Sequence, residues 1–124
     1  MRIWIAVAAI AGFIAVALGA MASHGLRDSL GVERLAWLDT GTRYALWHTL
    51  ALFGVALLGL LQGEPTSIPL RVAAWAFALG LVLFSGGLTA MAFGAPRALG
   101  AIVPVGGVAF LAGWAALAFA ALRG

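Results

Sequence analysis

Four long apolar stretches, separated by shorter polar segments, dominate the pattern of this 124-residue chain. A helix needs about 20 apolar residues to cross the hydrocarbon core of a bilayer. The windows that meet this length cover residues 3–22, 44–61, 70–92 and 102–122, and every charged residue lies outside them or at their edges. A charge at the centre of a membrane helix costs about 2.5–3.5 kcal/mol, so the pattern predicts a single domain with four membrane spans.

The connections between the windows differ in length and polarity. Residues 62–69 and 93–101 are short and contain proline and glycine, which places consecutive helices side by side and antiparallel. Residues 23–43 form a longer connection in which charged and apolar residues are interleaved. We therefore expect an all-α membrane protein, an up-down four-helix bundle. A short interfacial helix should begin at Val32, between spans one and two, either separate from span two or continuous with it.

Composition supports a lipid environment for most of the chain. It is 65% hydrophobic and 9% charged, whereas about 25% of residues are charged in soluble domains. Seven arginines and four acids give a net charge of +3 without a basic cluster, which argues against a nucleic-acid partner. Cysteine is absent, which excludes disulfides, thiolate metal sites and cysteine nucleophiles. Asp39 and Arg43 are four residues apart with the acid first, which predicts an ion pair on a helix.

Small residues recur at helical spacing in three of the windows. They are Gly12 and Gly19 in the first, Gly80 and Gly87 in the third, and Gly106 and Gly113 in the fourth. In lipid such stripes mark close helix contacts, either within the bundle or between copies of the chain. We expect Pro104 in the first turn of span four and Trp114 as a contact inside the bundle. The Ser85 and Thr89 hydroxyls should bond to their own helix backbone. The alternatives are hydrogen bonds to a neighbouring helix or, least favoured, a pore lining.

Two histidines are the strongest candidates for chemistry. His24 ends span one and His48 lies near the start of span two, so both are expected at the same membrane surface. With their neighbours they form a candidate binding cluster of His24, Arg43, Tyr44 and His48. Two histidines could ligate haem or part of a metal site, or each imidazole could instead bond to a backbone carbonyl, Tyr44 or Ser23. No third histidine, carboxylate within a span or nucleophile–base pair is present, so we expect no resident metal or cofactor and no catalytic site.

The sequence GAMASHGL, residues 19–26, stands where the first apolar window ends. Ala20, Met21 and Ala22 mimic a signal-peptide cleavage site, but the length of the apolar run suits a membrane span. We therefore interpret the stretch as the end of a helix, with Gly25 as the C′ residue that turns the chain away.

Four motifs occur in the order GAMASHGL (19–26), TRYALWHTLAL (42–52), FSGGLTAMAFG (84–94) and IVPVGGVAFLAGW (102–114). Together they span nearly the whole chain and resemble the small membrane-protein family catalogued as domain of unknown function 423, which is related to eukaryotic transmembrane protein 256. The resemblance implies four spans in a bacterial inner membrane and no established reaction. The residues it highlights are Gly19, His24, Gly25, Arg43, Tyr44, His48, Leu50, Ser85, Gly86, Pro104, Gly106, Gly107 and Trp114.

These features favour a structural or accessory membrane protein. Such a protein would pack against a larger membrane complex or against a second copy of itself, so its partners would be the lipid bilayer and other membrane proteins. One alternative is a small-molecule or ion conductor, or a lipid-binding protein, that uses a cavity at the candidate cluster. Another alternative is a haem-binding redox protein with His24 and His48 as ligands.

Overall fold

The structure is a computed structural model that describes all 124 residues and contains helices and their connections only. Four helical segments are long and apolar enough to cross a membrane, which confirms the four expected spans. The helices are α1 (Arg2–Ser23), α2 (Val32–Gln62), α3 (Ile68–Gly80), α4 (Gly86–Ala92) and α5 (Val103–Arg123). A π-helical turn, Leu81–Ser85, joins α3 to α4 within the third span, and a 3₁₀ turn, Arg97–Ala101, precedes α5. Pro104 lies in the first turn of α5.

The second span is longer than its apolar window. α2 begins at Val32, so the expected interfacial segment is not a separate helix but the first turns of α2. Its 31 residues measure about 46 Å at 1.5 Å per residue, some 16 Å more than the hydrocarbon core. α2 therefore extends past the bilayer where the first and third connections lie, which we call the loop-one side. The predicted Asp39–Arg43 ion pair is present there, with both side chains more than half exposed.

A second ion pair joins the first and third connections on the loop-one side. Arg97, after α4, bonds Glu33 in the first turn of α2 at 2.7 Å. The same guanidinium lies over the ring of Trp37, 5.3 Å from its centroid. These contacts hold the third connection against the first turns of α2 at this surface. An up-down bundle requires the first and third connections to lie on the same side.

Small residues hold α1 and α2 together in an antiparallel register. A Cβ added to Gly12 would lie 3.3 Å from the Thr49 methyl, and one added to Gly19 would lie 3.3 Å from the Thr42 methyl. In this register Ser23, the last residue of α1, lies level with the residue of α2 that is four positions before Thr42. The same register makes the middle of α1 level with Thr49.

The third span and α5 form a second close antiparallel pair through reciprocal contacts between phenylalanine and glycine. A Cβ added to Gly80 would overlap the Phe110 ring, and one added to Gly113 would overlap the Phe77 ring. The glycine spacing on each helix thus makes room for a ring from the other. These glycines pack within one chain, which answers a question that the sequence left open.

The π-helical turn lies where α5 approaches the third span most closely. A Cβ on Gly106 would overlap the backbone nitrogen of Phe84, so only glycine fits without displacement. The Gly86 N–H donates to the Leu81 carbonyl, five residues back, which departs from α-helical spacing. Contrary to expectation, the Ser85 hydroxyl does not bond to its own helix, and its buried Oγ has no partner.

α1 ends at Ser23, but not through a left-handed glycine. Gly25 does not have a positive φ, and the turn is closed instead by the Leu26 N–H, which donates to the Met21 carbonyl at 2.8 Å. The left-handed residue of this connection is Gly31, with φ of 80°, directly before α2. The expected site of the helix end was right, while the expected conformation of Gly25 was not.

Candidate functional site

His48 lies in the middle of the bundle rather than at the membrane surface. It is buried, and its neighbour Thr49 is level with the midpoint of α1. His24 is exposed beyond the end of α1. The α1–α2 register separates the two histidines by about 16 Å along the helix axis. They do not face each other, because α2 begins before its apolar window and carries His48 deeper than the sequence suggested.

The other two members of the expected cluster have neighbours of their own. Arg43 is paired with Asp39 on the exposed face of α2. Tyr44 packs against the Phe84 ring, 4.7 Å between centroids. The candidate cluster of four side chains is therefore not assembled. No group of three or more His, Asp or Glu side chains lies close enough together to hold a metal ion.

Both ring nitrogens of His48 are occupied by hydrogen bonds. Nδ1 lies 2.7 Å from the Tyr44 carbonyl oxygen, and Nε2 lies 3.1 Å from the Trp114 indole nitrogen. A carbonyl only accepts and an indole N–H only donates, so this pattern fits the neutral tautomer with its proton on Nδ1. Neither nitrogen keeps a free lone pair, so His48 as it stands gives no support to ligation of haem or a metal ion.

Aromatic rings surround His48 at this depth. Phe110 stacks on the imidazole with centroids 3.6 Å apart, and Phe77 lies 5.9 Å away. Trp114 contacts Phe77 edge-on as well as bonding to His48. A polar group buried among apolar groups is tolerated when its hydrogen bonds are made. His48 therefore connects α2 to α5 at the centre of the membrane as a packing and hydrogen-bonding element.

An apolar groove, which the sequence did not predict, runs between α1 and the third span with α2 as its floor. We call it the α1–α3 groove, and its volume is about 390 Å³, within the range of about 300–1,000 Å³ of ligand pockets. The lining residues are Val7, Ile10, Ala11, Ile14, Ala15 and Leu18 of α1, Gly41, Thr42 and Ala45 of α2, and Ala78, Leu81, Val82, Ser85, Gly86 and Thr89 of the third span. Trp4 and Trp75 meet edge to face at 4.8 Å, beyond the groove end that is farther from the loop-one side.

Two buried hydroxyls in this lining have no hydrogen-bond partner. Thr42 is 7% exposed and Ser85 is 6% exposed, and neither Thr42 Oγ1 nor Ser85 Oγ is bonded. Thr49 Oγ1 is also unpartnered but lies outside the groove. A buried polar group without a partner costs about 1–3 kcal/mol, and the bilayer core offers no water to supply one. The two oxygen atoms are themselves enclosed beside the apolar groove surface, so a ligand reaches them only after these side chains rotate.

Sequence comparisons place the chain among bacterial membrane proteins. The profile of the family described as "Protein of unknown function (DUF423)" matches residues 18–107. A UPF0382 membrane protein of Haemophilus influenzae is 40% identical over 120 residues, which cover 97% of this chain and 94% of that protein. The UPF0382 inner membrane protein YgdD of Escherichia coli K12 is 40% identical over 128 residues, covering 98% of this chain and 91% of that protein.

The similarity extends to a Gram-positive relative. A UPF0382 membrane protein of Staphylococcus epidermidis is 38% identical over 123 residues, 99% of this chain and 98% of that protein. No solved structure matches the chain. The expected inner-membrane location agrees with the name of the Escherichia coli relative. The chain belongs to the DUF423 family and is a small four-span protein of the bacterial inner membrane.

Proposed function

We propose that this protein binds the hydrocarbon chain of a membrane amphiphile in the α1–α3 groove and has no catalytic activity of its own. The observation that carries the proposal is the groove itself, about 390 Å³ in volume and largely apolar in its lining, with the unpartnered hydroxyls Thr42 Oγ1 and Ser85 Oγ enclosed beside it. Ligand sites in proteins typically combine an apolar wall with a few polar groups that fix orientation. The apolar wall suits a hydrocarbon chain, and the hydroxyls suit an acceptor at one end of it.

The length and volume of the groove suit a single hydrocarbon chain. Along α1 the lining runs from Val7 to Leu18, about 16 Å at 1.5 Å per residue. The volume of about 390 Å³ lies at the lower end of the range of about 300–1,000 Å³ for small-ligand pockets. A helix of the same length, about 10–12 Å across with its side chains, would occupy roughly 1,250 Å³, so only part of it would enter the groove.

This site is not the lipid site that the sequence suggested, which was bordered by His24, Arg43, Tyr44 and His48. Those side chains are dispersed, and the groove lies on another face of α2. The proposal therefore rests on residues outside the original cluster.

An accessory subunit that docks a helix of another membrane protein, or of a second copy, is the second candidate function. Alanines 11, 45 and 78 line the groove, and small residues admit close approach of a helix. The main support for this function was the set of glycine stripes, but those glycines contact residues of the same chain. The groove would also hold only part of the width of a helix.

A groove-filling substitution tests the proposal. Ala11 lines the groove, whereas Ala9 is exposed on the same helix outside it. In mild detergent the unaltered protein should retain lipid through extensive washing, as measured by native mass spectrometry and lipid extraction. Ala11→Phe should lower the retained lipid by about tenfold, equivalent to about 1.4 kcal/mol, and Ala9→Phe should not.

The hydroxyls are tested in the same assay by Thr42→Val, with Thr49→Val as the matched control. Both changes remove an unpartnered buried hydroxyl, but only Thr42 lines the groove. We expect Thr42→Val alone to weaken lipid retention, by about fivefold for one lost hydrogen bond of about 1 kcal/mol. Equal retention by the unaltered protein and by Ala11→Phe would refute groove binding. Release of a stoichiometric protein partner by Ala11→Phe would favour the accessory-subunit function instead.

A further inference from the structure

A second concave region lies on the loop-one side, between the end of α1 and the first turns of α2. We call it the interfacial pocket, and its volume is about 520 Å³. Unlike the α1–α3 groove it has charged side chains in its lining, Arg27 and Asp39, together with the hydroxyl side chains Ser23 and Thr42. Thr42 lines both regions, so the apolar groove and the polar pocket meet at this residue.

The pocket offers one unpaired cation and one partly used carboxylate. Arg27 takes part in neither of the two ion pairs of the structure. Asp39 accepts from Arg43 through Oδ2, which leaves Oδ1 without a bond. A guanidinium binds a phosphate group through paired N–H donors, and a carboxylate oxygen accepts from an ammonium group. The two opposite charges therefore complement a group that carries both a phosphate and a primary ammonium.

The unpartnered hydroxyls lie at the depth where a glycerolipid carries its ester groups. Because Gly19 faces Thr42, the last residue of α1 is level with a position four residues before Thr42. Thr42 thus lies about 6 Å inward from the end of α1, at the inner edge of the polar pocket. Ester carbonyls join head group to acyl chain and only accept hydrogen bonds. Thr42 and Ser85 have the donors that such carbonyls need, once side-chain rotation brings these enclosed hydroxyls to the groove surface.

We propose that the interfacial pocket and the α1–α3 groove together bind one glycerophospholipid whose head group carries a primary ammonium. Arg27 binds its phosphate, Asp39 its ammonium, and Thr42 and Ser85 its ester carbonyls, while one acyl chain lies in the groove. This assignment rests on the proposed function, because it requires the groove to hold a hydrocarbon chain.

The experiment compares lipids that differ only in the head group. Delipidated full-length protein in mild detergent is titrated with dioleoyl phosphatidylethanolamine, phosphatidylcholine or phosphatidylglycerol, and bound lipid is counted by native mass spectrometry. We expect phosphatidylethanolamine to bind about tenfold more tightly than phosphatidylcholine. The reason is that a quaternary ammonium has no N–H to donate, and hydrogen bonds to charged groups are worth about 1.5–3 kcal/mol.

Charge-neutralising variants separate the two head-group contacts. Arg27→Gln should weaken all three lipids by about tenfold, since each carries a phosphate. Arg34→Gln, an exposed arginine of the same side outside the pocket, should not. Asp39→Asn should abolish the preference for phosphatidylethanolamine over phosphatidylcholine. Arg43→Gln breaks the same ion pair but keeps the carboxylate, so it should retain that preference.

The results distinguish failure of this inference from failure of the proposed function. The groove proposal stands if lipid binds and Ala11→Phe prevents binding. In that case, equal binding of the three lipids, or no effect of Arg27→Gln, overturns the head-group assignment alone. If the unaltered protein binds none of the lipids, or Ala11→Phe binds as well as Ala9→Phe, both are overturned. Matching circular dichroism spectra establish that each variant is folded.

Discussion

Gly106→Ala is expected to destabilise the bundle, whereas Gly107→Ala on the same helix is not. A Cβ at residue 106 would overlap the backbone nitrogen of Phe84 and lie 2.9 Å from the carbonyl carbon of Leu83. A Cβ at residue 107 would find its nearest atom, on the Phe84 ring, at 3.7 Å, an ordinary contact distance. The two adjacent glycines thus separate a steric effect from a change in helix propensity.

The size of the effect follows from what can move. The overlap at Gly106 is with backbone, so no side-chain rotation relieves it, and α5 must shift away from the third span. That shift would loosen the Phe77–Gly113 contact in the same interface. Overpacking of a close-packed interior costs about 1–3 kcal/mol, and replacing a helical glycine by alanine offsets up to about 1 kcal/mol of that. We expect a net loss of about 1–2 kcal/mol for Gly106→Ala and a gain of at most about 1 kcal/mol for Gly107→Ala.

The assay is reversible unfolding in mixed micelles with increasing denaturing detergent. Far-ultraviolet circular dichroism reports helix content, and tryptophan fluorescence reports packing around α5. Equal midpoints for the two variants would refute the reasoning, because they would mean that α5 does not approach the Phe84 backbone as closely as the structure has it. A large loss for Gly107→Ala alone would show that the helix is rotated from its described orientation.

Two further pairs of variants use the same unfolding assay. Trp114→Phe removes the indole N–H that bonds His48 and should cost about 0.6–1.7 kcal/mol, from the average to the largest contribution found for interhelical hydrogen bonds in a membrane protein. Trp47→Phe, at an exposed indole without such a bond, should change stability by less than about 0.5 kcal/mol, and equal effects would contradict a role for the bond. Gly31→Ala should cost about 1–3 kcal/mol because φ is 80° and ψ is 166° there, a region restricted to glycine. Gly25→Ala, at a glycine without positive φ, should leave stability nearly unchanged. A larger loss of stability at Gly25 than at Gly31 would contradict the assignment of the positive φ to Gly31.

The number of spans could be predicted from the sequence because it depends on one physical length. The hydrocarbon core requires about 20 apolar residues per helix, and the chain contains four such windows. The start of α2 could not be predicted the same way, because hydropathy reports contact with lipid rather than the end of a helix. Asp39 and Arg43 interrupt the apolar pattern on an exposed face of α2, yet the helix continues through them.

The surroundings of His48 could not be predicted because they depend on helix register and on a distant partner. The depth of His48 is fixed by the contacts of Gly12 with Thr49 and of Gly19 with Thr42. Its hydrogen-bond donor, Trp114, lies 66 residues away in the chain. The sequence did indicate that Trp114 is a bundle contact, since it was the tryptophan farthest from a span end, but it contained no signal for the partner.

The α1–α3 groove follows from the way the small residues are distributed. Gly12 and Gly19 join α1 to α2, and Gly80 and Gly113 join the third span to α5, so no glycine stripe is left to bring α1 against the third span. The contact between Trp4 and Trp75 closes the resulting gap only beyond the end that is farther from the loop-one side. The lining residues extend for about 16 Å along α1. That length is close to half of the roughly 30 Å hydrocarbon thickness. However, the lining from Val7 to Leu18 is centred on the middle of α1. A hydrocarbon chain that enters the proposed site from the loop-one side would therefore extend past the bilayer midplane.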